Sequence, residues 1–118
     1  MCLMANRALT EQAFLVLTAL VDEPRHGYGI VGEVERLSDG RMRLRIGTLY
    51  GVLDRLTADG LVELDHEEVH QGRLRRYYRL TDPGAAALAA EADRLSVHVR
   101  AATSRLRARR DRLSEGGA

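Results

Sequence analysis

The chain has 118 residues, of which 45% are hydrophobic and 30% charged, and its formal net charge is +1. This supports one domain with one modest core and excludes a disordered polyelectrolyte. The single cysteine, Cys2, excludes a disulfide framework and a cysteine zinc cluster and points to a reducing cytoplasm.

Thr10 is a good N-cap and Glu11 suits a first turn, so a helix is predicted from there to about Val21. Its apolar stretch, 13–21, faintly imitates a secretory signal after Arg7. No small-x-small cleavage site follows, and the stretch is too short to cross a bilayer. A buried helix and no membrane association are expected. Asp22, Glu23 and Pro24 stop it. A second helix is predicted over 28–37, because Ile30, Val34 and Leu37 repeat at helical spacing. Ser38, Asp39 and Gly40 end it. Residues 41–46 then alternate, with Met42, Leu44 and Ile46 opposite Arg41, Arg43 and Arg45. A short strand and an extended loop both fit this pattern.

A third helix is predicted over 47–58. Leu49, Val52, Leu53 and Leu56 form its apolar stripe, and Gly60 stands where a C′ glycine belongs. Its outer face is small at the N-terminal end, with Gly47 and Gly51 beside Thr48 and Tyr50. Two strands follow, 61–67 and 75–80, joined by a turn at His70-Gln71-Gly72. Tyr78 and Leu80 share one face of the second strand, Tyr77 and Arg79 the other. Thr81 or Asp82 caps a last helix, with Pro83 in its first turn, running to about Leu113. Ala85, Ala92, Val99, Leu106 and Leu113 take one heptad position, and Leu88, Leu95 and Ala102 the other. Such a seam asks for a partner helix, and a two-fold dimer is the simplest source.

The expected fold is mostly α with a small β wing: a winged helix-turn-helix over 1–82, a C-terminal dimerisation helix over 83–113 and a flexible tail over 114–118. All 18 basic residues are arginine. They cluster locally, as a DNA footprint needs. Arg43, Arg45 and Arg55 surround the third helix, while Arg73, Arg75 and Arg76 sit at the hairpin tip and suit phosphates or a narrow minor groove. Tyr28 and Tyr50 read equally as DNA contacts and as core aromatics; for Tyr78 the core is expected.

The motifs His26-Gly27-Tyr28-Gly29, Gly47-Thr48-Leu49-Tyr50, Leu53-x-Arg55-Leu56 with Gly60-Leu61-Val62, and Arg75-Arg76-Tyr77-Tyr78-Arg79-Leu80-Thr81 with Gly84 occur in this order over most of the chain. Together they resemble the PadR family of bacterial transcriptional regulators, in its small subtype with one C-terminal helix. That resemblance implies a homodimeric repressor of a pseudo-palindromic operator on double-stranded DNA. It implies that Gly47, Thr48 and Tyr50 enter the major groove, that Tyr28 touches the phosphate backbone, and that Arg75, Arg76 and Tyr77 serve the wing. It places the C-terminal helices against the partner's first helix. Some members sense phenolics or hydrophobic drugs, so a small hydrophobic or phenolic effector is expected near Phe14, Leu17, Leu95 and Val99. The chain departs from the family at Arg45-Ile46, where a small pair is usual, so Arg45 is assigned a phosphate.

His66-Glu67-Glu68-Val69-His70 matches the H-E-x-x-H pattern of zinc peptidases. That pattern needs a helix. In an extended strand the two imidazoles stand roughly 13 Å apart, too far to share one zinc. No P-loop, nucleophile elbow or dinucleotide-binding turn is present. The expectation is therefore no catalytic residue, no metal and no cofactor. The alternative reading is a winged-helix module that binds an acidic protein rather than DNA.

Overall fold

The computed structural model describes residues 8–116, so Cys2 and Arg7 lie outside it, as do the last two residues of the expected tail. The described part falls into two compact units that divide after Leu88.

The first unit begins with α1 (Glu11–Ala19), whose Thr10 cap accepts a hydrogen bond from the Ala13 backbone N–H at 3.1 Å. The helix ends two residues earlier than the sequence predicts. Leu20 is its C-cap and bonds back to Leu17. Being apolar nearly all round, α1 buries Ala13, Val16, Leu17 and Ala19. Leu17 has no exposed surface and lies in the core with Ile30, Leu49 and Leu53. Leu17, expected beside an effector, is thus part of the domain core.

A two-residue strand, β1 (Arg25–His26), comes next and has no counterpart in the sequence reading. Arg25 Nε donates to the Ala19 carbonyl at 2.8 Å and fixes the turn after α1. Helix α2 (Gly27–Leu37) buries Gly27, Ile30 and Val34. It ends with Asp39 and Gly40 at positive φ, and the Gly40 N–H returns to the Glu35 carbonyl at 2.8 Å. Residues 41–45 are an extended loop without a strand partner. Leu44 is buried and Met42 half-buried, so Arg41, Arg43 and Arg45 face water.

Helix α3 (Ile46–Ala58) packs Leu49, Leu53 and Leu56 into the core. Its end is a Schellman motif: Leu61 N–H bonds to the Leu56 carbonyl at 2.9 Å and Gly60 N–H to the Thr57 carbonyl at 3.0 Å. The hairpin of β2 (Val62–His70) and β3 (Arg73–Leu80) turns at Gln71 and Gly72, with φ of 52° and 77°. Positive φ at both central residues is the type I′ turn that matches strand twist. The sheet order is β1-β3-β2, all antiparallel.

Register slips between Leu64 and His66, so Asp65 is the extra residue of a bulge. Val62 and Leu64 pair with Leu80 and Tyr78, Val62 buried and Leu64 exposed by 48%, whereas His66 pairs with Tyr77 beyond the bulge. Tyr78 and Leu80 pack against the core, as the alternation predicts.

Helix α4 (Asp82–Gly116) starts where Thr81 Oγ1 accepts the Gly84 N–H at 3.0 Å. Thr81 also donates to the Gly60 carbonyl at 2.7 Å. Leu88, expected on the dimer seam, packs against the core of the first unit. The second unit is the continuation of α4 from Ala89. It stays helical to Gly116, past the expected stop at Leu113. Val99, Leu106 and Leu113 are exposed along it by 61%, 65% and 59%.

Candidate nucleic-acid interface

Pairing of β1 with β3 places His26 opposite Tyr77, and thereby sets the N-terminus of α2 beside the hairpin. The result is a cleft of about 390 Å³ lined by His26, Gly27, Tyr28, Tyr50, Arg73, Leu74, Arg75 and Arg76. Of the sequence-assigned DNA contacts, Tyr28, Tyr50, Arg73, Arg75 and Arg76 meet at this cleft. Arg43, Arg45, Gly47, Thr48, Arg55 and Tyr77 do not line it. The first five of these are exposed on α3 and its approach, and Tyr77 is half-buried.

Tyr28 is 70% and Tyr50 41% exposed, so neither is a core aromatic. Tyr50 reaches back across α2. A Cβ on Gly27 would stand 2.8 Å from Tyr50 Oη and 3.2 Å from Ile46 Cδ1. Gly27 is thus the residue that lets Tyr50 lie on the start of α2. Gly47 and Gly51 have no heavy atom within 4 Å of where a Cβ would be, so the outer face of α3 is open to a partner's backbone.

The arginines divide into two groups. Arg43 Nε lies 3.4 Å from Glu35, and Arg76 Nε donates to Glu67 at 3.1 Å. Arg79 is held by Glu63 and lies 3.6 Å from Asp65. Among the described residues, no ion pair holds Arg41, Arg45, Arg55, Arg73 or Arg75. The stretch 73–79 carries no acid of its own, yet the register sets Glu68, Glu67 and Glu63 opposite Arg75, Arg76 and Arg79. The hairpin therefore carries four arginines against four carboxylates, while 41–58 carries four arginines against Asp54 alone. Of these two segments, the excess positive charge sits at α3 and its approach.

An aromatic ladder crosses the outer face of the sheet. The His66 ring stacks on Tyr77 at 4.4 Å between centroids, and His26 meets Tyr77 at 5.3 Å and 54°. His66 Nδ1 is 2.5 Å from Asp65 and Nε2 is 3.1 Å from Glu68. The hydrogen bond to Asp65, followed by that to Glu68, holds the His66 pKa above its ordinary value. Burial, then the charges of Arg75 and His70, holds that of His26 below it. His26 is the N-cap of α2 but makes no side-chain cap hydrogen bond; its ring meets Tyr77 instead. His66 and His70 both lie on β2, an extended strand, where the zinc-peptidase geometry does not form.

Sequence reasoning missed His26, Gly27 and Leu74 as cleft residues. Gly27 was visible in the His-Gly-Tyr-Gly motif, but its purpose depends on Tyr50, twenty-three positions away. No local pattern marks a two-residue strand.

Residues 16–90 match the family described as the transcriptional regulator PadR-like family. Transcriptional regulator Rv3488 of Mycobacterium tuberculosis is 41% identical over 73 residues, which is 62% of this chain and 64% of that protein. The chain therefore spans just under two thirds of that relative's length. A PadR family transcription regulator from hypervirulent Clostridium difficile superposes with a TM-score of 0.69 at 21% identity, over 82% of this chain and 99% of that one. Bacillus subtilis PadR, crystallised in complex with operator DNA, superposes with a TM-score of 0.57 at 21% identity, over 64% of this chain and 44% of that one. At such identities the two structures establish a shared fold, and the match over 16–90 establishes kinship. This winged helix-turn-helix chain with its long C-terminal helix belongs to the PadR-like family of transcriptional regulators.

Proposed function

We propose that the chain is a sequence-specific transcriptional repressor that binds a pseudo-palindromic operator as a homodimer in the cytoplasm and is released by a small hydrophobic or phenolic effector. The observation that carries the DNA reading is the α3 surface: a small, exposed N-terminal face at Gly47 and Thr48 beside open arginines and a flanking wing. On this reading Thr48 and Tyr50 meet base edges in the major groove, with Gly47 allowing close approach. Arg45 and Arg55 take phosphates beside them, and Tyr28 takes one at the start of α2. Arg73 and Arg75 serve the wing. Arg43 and Arg76 reach phosphate only in competition with Glu35 and Glu67. Tyr77 keeps its place between two imidazoles and orders the wing.

The exposed row of Val99, Leu106 and Leu113 supports pairing of two copies through α4, with Ala92, Leu95 and Ala102 on the same seam. No catalysis, metal or cofactor enters the proposal. The test is selection of bound fragments from genomic DNA. Recovered sequences should align to an inverted repeat, bound by two chains; no enrichment at low salt would overturn the reading. One observation favours the second reading, a protein-docking module: Val69 and Leu74 form an exposed apolar pair at the wing tip. A stable protein complex without any shift of genomic fragments would support it.

A further inference from the structure

We propose that Glu67 limits the DNA affinity of the wing by occupying Arg76 as an internal stand-in for a phosphate. This rests on the DNA-binding reading above. The three cross-strand acid–arginine positions of the hairpin are not equivalent. Glu63 closes on Arg79, which is outside the cleft. Glu68, opposite Arg75 in register, bonds instead to His66 Nε2 at 3.1 Å, and Arg75 stays open toward the cleft. Glu67 closes on Arg76 at 3.1 Å, and Arg76 lines the cleft with Tyr28 and Tyr50.

Arg76 is thus the wing arginine that is both in the cleft and already paired. A carboxylate and a phosphate oxygen ask for the same guanidinium donors. Arg76 can bind a phosphate only by sharing or leaving Glu67. Both side chains are exposed, so the exchange is open to DNA. Glu67 acts as a positioning residue: it touches no DNA and works through Arg76. Its effect is to hold down generic affinity, which carries no sequence information.

The test is Glu67→Gln, which keeps the size and a hydrogen-bond acceptor while removing the charge. Affinity of the full chain is measured for a random-sequence duplex and for a fragment selected from genomic DNA, over a range of salt. One further phosphate neutralised steepens the slope of log affinity against log salt by about 0.9, which is roughly eightfold in affinity at about 0.1 M. Glu67→Gln should tighten both duplexes by that order, with their ratio unchanged. In an Arg76→Ala background the same change should have no effect, because the residue it acts through is gone. Unchanged affinity and slope in Glu67→Gln, with the wild type binding, overturns the proposal. A gain of equal size in the Arg76→Ala background also overturns it, since that is a distant charge effect. Failure of every variant to bind any duplex overturns the DNA-binding reading itself, and this proposal with it.

Discussion

Replacing Gly84 by alanine should destabilise the winged unit far more than one added methyl suggests. The new Cβ would stand 2.0 Å from the Leu61 carbonyl oxygen, 2.9 Å from its carbon and 2.9 Å from Leu80 Cδ1. The obstructing atoms are backbone, and they are pinned. Leu61 N–H closes the Schellman motif of α3, and the Leu61 carbonyl accepts from Thr81 N–H at 3.1 Å. Thr81 in turn bonds to both Gly60 and Gly84. Relief therefore means moving α4's first turn off the hairpin. Overpacking of this kind costs about 1–3 kcal/mol, and loss of the Thr81–Leu61 bond about 1 kcal/mol more. The helix propensity of alanine returns about 1 kcal/mol. The net is about 2 kcal/mol, or roughly 8 °C in Tm for a chain of this size. Thermal unfolding followed by circular dichroism reads it directly. A Tm within about 2 °C of wild type would refute the reasoning.

Gly27→Ala makes the informative contrast. Its obstacle is the hydroxyl end of Tyr50, a partly exposed side chain that can swing aside. Stability should stay within about 1 kcal/mol of wild type, while the Tyr50 ring resonances shift in an NMR spectrum; unmoved resonances would contradict the contact. His66 and His26 should give opposite pH dependences. The raised pKa of His66 means that its contribution to stability is complete below the ordinary 6.5 and is lost as pH climbs through the higher folded value. The lowered pKa of His26 means that its contribution is complete above 6.5 and declines as pH falls below it. The Tm difference between wild type and His66→Gln should therefore shrink as pH rises from 6.5, and that for His26→Gln should shrink as pH falls. If two copies pair through α4 as proposed, Leu106→Arg should shift the mass in sedimentation toward one chain without lowering the helicity of the winged unit. An unchanged mass would contradict pairing through this row of α4.

Much of this was legible because it is local. Thr10 reads as a cap from its own chemistry, and the stripe of Leu49, Leu53 and Leu56 reads as a buried helix face from spacing alone. The alternation of Met42 and Leu44 with three arginines is the burial pattern found, although no strand forms there. What stayed hidden depends on pairing. The Asp65 bulge turns His66 to the outer face, and nothing in the composition of β2 announces it. The closed pair Glu67–Arg76 and the open Arg75 follow from that register and from His66 diverting Glu68. A charge count along the chain sees the hairpin tip as basic, whereas the folded hairpin sets a carboxylate opposite most of its arginines. Leu17 shows the same limit in the core. An apolar helix must be covered, but its sequence does not say which leucine the domain itself covers.

The most direct test of the central claim compares two classes of variant on one selected operator and one random duplex across salt. Thr48→Ala or Tyr50→Phe should lower the ratio of operator to random affinity roughly tenfold and leave the salt slope in place, because base contacts carry sequence but little charge. Arg73→Ala with Arg75→Ala should weaken both duplexes alike and flatten the slope by about 0.9 for each arginine removed. Ratio and slope that stay at wild-type values in both classes would contradict the placement of DNA on α3 and the wing.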